Sequence, residues 1–159
     1  MDGNLPDNVS LAFGRLVWSL IYVEDLSRVF VERVIGDLGQ RGINNLIEEA
    51  LRLIEPYGAK SEIGVAAVWL QTAKEFLPIR NAIMHGVPSH FFPDTASMKG
   101  SRDGARQVIE HRHYSGRYTR VEMNSEYLSG IDDRVSVHCR QWTSVYVEFC
   151  TTYDVLMGA

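Results

Sequence analysis

Ile131, Val135, His138, Trp142, Tyr146, Phe149, Tyr153 and Leu156 recur at intervals of 4, 3, 4, 4, 3, 4 and 3 residues. That spacing marks one face of a long α-helix. A stripe of this length has to be covered, and other helices with apolar faces are the natural cover. The rest of the chain supplies them. A first helix is expected from a cap at Asp7 or Asn8 to about Ile35, with Phe13, Leu16, Leu20, Val23, Phe30 and Val34 near a 3–4 spacing. Between Leu16 and Val23 only Ser19 is polar, so this helix is either wrapped by other helices or shared with a second subunit. A second, from Ile43 to Glu55, is a clean amphipath ended by Pro56-Tyr57-Gly58. A third starts near Ser61 and carries Val65, Val68, Trp69, Ala73 and Phe76 toward Arg80. Pro78 interrupts it, which predicts a kink or a fresh helical start. Ser129-x-x-Asp132 has the form of a capping box for the last helix, with a shorter acid than usual.

Between the third and last helices the sequence changes character. Pro88, Pro93, Gly100 and Gly104 predict a long connection over 87–104. Two strand-like runs follow, Arg106 to His113 and Arg117 to Met123, around a turn at Ser115-Gly116. A two-residue turn would set His113 opposite Tyr118 and His111 opposite Arg120. The expected fold class is therefore mainly α: a four-to-five-helix bundle in one domain over 1–159, with a β-hairpin at about 106–123 inserted before the last helix.

Charge points the same stretch toward a polyanion. The chain carries a net charge of −4, yet residues 99–120 hold six bases and two acids, so that segment is +4 and the remainder −8. Arg112, Arg117, Tyr118 and Arg120 are the expected contacts, since arginines interleaved with tyrosines suit phosphates and unpaired bases. Other classes find no footing. The start, Met-Asp-Gly-Asn, has no basic region of the kind a signal peptide carries, and the most apolar run, Leu16 to Val23, is too short to span a bilayer. Cys139 and Cys150 are eleven residues apart on one predicted helix and are expected as reduced core thiols, as in a cytoplasmic protein. No zinc-ligand spacing and no Gly-rich phosphate loop occurs, so neither a metal nor a cofactor is expected.

The chemistry-bearing stretch is Arg80-Asn81-Ala82-Ile83-Met84-His85-Gly86. On a helix Asn81 and His85, four apart, share one face, and Arg80 flanks it. Histidine can move a proton near neutral pH, and arginine carries a permanent planar charge suited to phosphate oxygens. Gly86 reads as the residue that stops the helix. Arg106 and His111 repeat the spacing, but in a strand-like segment and without the glycine after the histidine.

Arg-Asn-x-x-x-His-Gly resembles the R-x4-6-H motif of HEPN domains, an all-α family whose active members are metal-independent ribonucleases. The resemblance rests on those seven residues; the rest of the chain agrees in helix layout. It implies an endoribonuclease with Arg80, Asn81 and His85 as catalytic residues, leaving a 2′,3′-cyclic phosphate. His85 would act as base or acid, Arg80 would offset phosphoryl charge, and Asn81 would hold the imidazole or phosphate in register. It also implies a homodimer with two motifs facing one cleft, a setting in toxin–antitoxin or phage-defence systems, and an antitoxin or inhibitor protein among the partners. Toxins of the family that pair with a nucleotidyltransferase carry a modified tyrosine two residues after the motif histidine. Val87 stands there, so regulation by that route is not expected. The alternative is a catalytically silent, dimeric RNA- or nucleotide-binding module that works through the basic hairpin. Among the remaining histidines, His138 on the apolar stripe is expected in the core, and His111 and His113 as solvated strand positions.

Overall fold

The computed structural model describes residues 5–91 and 106–158. Its elements are helix α1 (Asp7–Ile35), helix α2 (Ile43–Ile54) with a single 3-10 turn at Glu55–Tyr57, helix α3 (Ser61–His85), strands β1 (Val87–Phe91), β2 (Arg106–Arg112) and β3 (Tyr118–Glu122), and helix α4 (Ser125–Met157). The chain is mainly helical, with a small antiparallel sheet of order β1-β2-β3 before the last helix. It divides into two compact units, one of Met1–Ser19 with Pro78–Asp133 and the other of Leu20–Leu77 with Arg134–Ala159.

The second unit is held by aromatic packing. Phe30 is fully buried, with ring centroids 4.6 Å from Phe149, 5.5 Å from Tyr146 and 6.0 Å from Trp69. Leu46, Ile47, Ala50 and Ile54 bury the apolar face of α2 as its periodicity requires. His138 is the core histidine expected: it is 4% exposed and stacks on Trp69 at 4.2 Å, while the Trp69 indole N–H donates to the His138 carbonyl at 3.1 Å. Cys139 and Cys150 form no disulfide and are half-buried rather than in the core.

In the first unit Val9, Ala12, Leu16, Ala82, Val108, Val121, Leu128 and Ile131 are buried. Ser19 donates to Asp132 at 2.5 Å and Asn8 to Ser125 at 3.2 Å, tying the start of α1 to the start of α4. The cap of α4 is Asn124, whose side-chain oxygen accepts the Tyr127 N–H at 2.8 Å. The helix thus begins about a turn before the expected Ser129 box, because Asn124 satisfies an orphan amide there and Asp132 is engaged by Ser19. Trp18 is 74% exposed, and Leu11, Ile21 and Tyr22 are exposed as well, so α1 is not wrapped on all sides by its own chain.

Three further features bear on the sequence reading. Of the two alternatives at Pro78, the fresh start is not taken: helix α3 runs through it. Val87–Phe91, expected as part of a long connection, is a strand that pairs with β2. Pro88 is tolerated because β1 lies at the sheet edge, where a missing N–H need not break a ladder. The part of that connection over 92–105, with Lys99 and Arg102 of the basic segment, lies outside the described residues. Finally, the hairpin register pairs Arg112 with Tyr118, His111 with Thr119 and Glu110 with Arg120, one residue away from the expected pairing. The turn is three residues long rather than two. The His113 N–H donates to the Arg117 carbonyl and the Gly116 N–H to the His113 carbonyl, with Gly116 at φ 79. A left-handed glycine closing a three-residue loop is a standard hairpin solution.

Burial lowers the His138 pKa to about 4 from an ordinary 6.5. The folded state therefore holds the ring neutral where the unfolded chain takes up a proton. Stability is full above about pH 6.5 and is lost as the pH falls toward 4, with a slope of at most about 1.4 kcal/mol per pH unit from this group. Urea unfolding of wild type and His138→Phe across that window should show the slope reduced in the variant.

Candidate active site

The last turns of α3 carry Arg80, Asn81 and His85. Helical spacing puts Asn81 and His85 on one face, and both line an open groove of about 950 Å³ whose other walls are His111, Arg112, His113, Tyr114 and Ser115. All of these belong to the first unit. Arg80 is half-buried and joins the site through Asn81, donating from Nη1 to Asn81 Oδ1 at 3.2 Å. The guanidinium so fixes which edge of the amide faces away from it.

Gly86 explains why the end of α3 and strand β2 lie so close. Its φ is not positive, so it does not serve as a left-handed helix stop. A Cβ at this position would lie 2.2 Å from the Ala82 carbonyl oxygen, 2.4 Å from Ile109 Cγ2 and 2.9 Å from the Glu110 carbonyl oxygen. The motif glycine is therefore a close-approach residue: with only a hydrogen there, β2 can lie against the end of the helix. The exposed His85 ring consequently comes within 6.3 Å of His111, centroid to centroid.

The hairpin register decides what else the groove receives. Alternate strand residues share a face, so His111 lies on the side of Thr119 and Val121, the latter fully buried. His113 follows: its Nε2 lies 2.6 Å from Thr119 Oγ1, and its ring meets His111 edge-on at 4.8 Å. Glu110, Tyr118 and Arg120 lie on the opposite side. There Arg120 binds Glu110 through Nε at 2.8 Å and Nη2 at 2.7 Å, and the Arg112 guanidinium sits 5.8 Å over the Tyr118 ring. Arg117 and Tyr114 are exposed at the turn.

The residues picked from sequence thus separate. Asn81 and His85 line the groove and Arg80 stands behind Asn81. Arg112 borders the groove, but its guanidinium lies with Tyr118 and Arg120 on the other side of the ribbon. His111 and His113, expected as solvated strand positions, line the same groove. Their i, i+2 spacing was the available signal, but only the three-residue loop and the Gly86 contact direct them to His85.

His111 Nδ1 is buried without a hydrogen-bond partner. Among the described residues no three His, Cys, Asp or Glu side chains are placed to hold a metal ion, and no helix is long and apolar enough to cross a membrane. The chain matches no protein-family model, no curated protein and no solved structure.

Replacing Gly86 with alanine tests the close approach. The added methyl meets the Ala82 carbonyl of α3 itself and has to push β2 away at Ile109 and Glu110, an overpacking that costs about 1–3 kcal/mol. Gly86→Ala should lower the unfolding midpoint and shift the imidazole NMR signals of both His85 and His111. A variant as stable as wild type with unmoved signals would contradict the contact.

Proposed function

We propose that this chain is a metal-independent endoribonuclease acting at the groove beside the end of α3. One observation carries the reading: Asn81 and His85 of the helix and His111, Arg112 and His113 of the hairpin line the same open cavity. A proton-transfer group and hydrogen-bond donors for the phosphoryl oxygens are what transphosphorylation of RNA requires at one place. His85 takes the proton of the ribose 2′-hydroxyl, the 2′-oxygen bonds to phosphorus, and the bond to the 5′-oxygen breaks. That oxygen takes a proton from water. The products are a 2′,3′-cyclic phosphate and a 5′-hydroxyl end. Arg80, through Asn81, holds the amide in register.

Within this reading the likeness to HEPN domains supplies the setting: a homodimer, with the exposed Leu11 and Trp18 face of α1 meeting a second copy, in a cytoplasmic toxin–antitoxin or defence system with an antitoxin or inhibitor protein. Incubating the purified protein with RNA in a chelator should yield cyclic-phosphate ends. Arg80→Ala and His85→Ala should each lose at least about 10²-fold in rate. Cleavage that survives both substitutions, or that depends on added metal, would refute the reading.

The outer face of the ribbon favours a second reading, a binding module without catalysis. Arg112 over Tyr118, with Arg117 and Tyr114 exposed, forms a platform for stacking and phosphate contact. In that case an Arg112/Arg117/Arg120 triple alanine variant should weaken RNA binding and flatten its salt dependence, while Arg80→Ala leaves both unchanged. Undiminished binding by the triple variant would remove this reading.

A further inference from the structure

We infer that His111, outside the Arg-Asn-x-x-x-His-Gly motif, supplies a fixed Nε2–H that donates to a non-bridging oxygen of the scissile phosphodiester. The inference rests on the ribonuclease reading of the groove and adds the residue that holds the phosphoryl group. Three observations lead to it. His111 lines the groove with Asn81 and His85, and its ring lies 6.3 Å from that of His85. Hydrogen bonds of ~2.6–3.2 Å from each ring can meet one phosphodiester across such a gap, His85 at the 2′-oxygen and His111 at a phosphoryl oxygen. Next, Nδ1 of His111 is buried without a partner, which leaves Nε2 as the ring nitrogen open to the groove.

The buried nitrogen also selects the tautomer. A proton on Nδ1 would bury an N–H with no acceptor, whereas a proton on Nε2 buries only a lone pair. Orphaned N–H groups are the rarer of the two in folded proteins. The neutral ring therefore rests with its proton on Nε2. That makes His111 a donor to developing charge and leaves proton abstraction to His85.

The last observation is how the ring is held. His113 packs edge-on at 4.8 Å, and His113 is itself held by Thr119 Oγ1 at 2.6 Å. A donor braced in this way needs no reorganisation when charge builds on the phosphate.

Sulfur is a weak hydrogen-bond acceptor, so the test uses a short RNA with one mapped cleavage site, carrying sulfur at either non-bridging oxygen of that linkage. Wild type should cleave one diastereomer much more slowly than the other. His111→Ala should lower kcat on the unmodified RNA by about 10²-fold with little change in KM, and the ratio between diastereomers should fall toward one. His111→Gln, which keeps an amide N–H near the same place, should recover part of the rate and of the ratio. Wild type that cleaves both diastereomers equally overturns the inference. So does His111→Ala with undiminished kcat, or a slower His111→Ala that keeps the wild-type ratio; both leave the ribonuclease reading intact. If wild type cleaves no unmodified RNA, the ribonuclease reading itself falls.

Discussion

The contact on which the site depends is the close approach of the Gly86 backbone to β2. Helix α3 ends with its last amide still bonded back, the Gly86 N–H donating to the Ala82 carbonyl at 2.7 Å. On the same residue the Ile109 side chain and the Glu110 carbonyl lie where any side chain would have to be. A hydrogen in place of a methyl brings a strand residue, His111, beside a helix residue, His85, across 26 positions of sequence. Every chemical role assigned to the groove follows from that proximity.

Parity in the hairpin is the second constraint. A strand has two faces, and a one-residue change in loop length moves every side chain of the returning strand to the other face. Three loop residues ending at a left-handed Gly116 put Thr119 behind His113 and turn Arg120 outward to Glu110. The histidines and the arginine–tyrosine platform consequently occupy opposite sides of the ribbon, so that either set can be substituted separately. His113 illustrates the division of labour: its ring nitrogen is committed to Thr119, so it braces its neighbour.

The second unit shows a different use of histidine. His138 is sealed among Trp69 and Phe76 and kept neutral, with a pKa near 4. In the groove, imidazoles stand next to solvent and to one another. Sequence context separates these cases only in part, since His138 lies on a 3–4 apolar stripe whereas His111 lies among charged residues whichever side it faces.

Much of the fold was legible from the chain alone, because helix formation is a local matter of period and punctuation. The bounds of α1 and α2, the long stripe of α4, the core role of His138 and the hairpin before the last helix all follow from spacing, glycines and prolines read within a few residues. Helical geometry likewise placed Asn81 beside His85. What depended on partners distant in sequence was not legible. Val87–Phe91 became a strand only because β2 offered it an edge, Asp132 of the expected Ser129 box was taken by Ser19, and Gly86 was needed for what lies against it and not for its own dihedral angles. Local periodicity determines which faces a chain can present. Register, loop parity and backbone approach, which are properties of the folded whole, decided that His85, His111 and His113 share one groove.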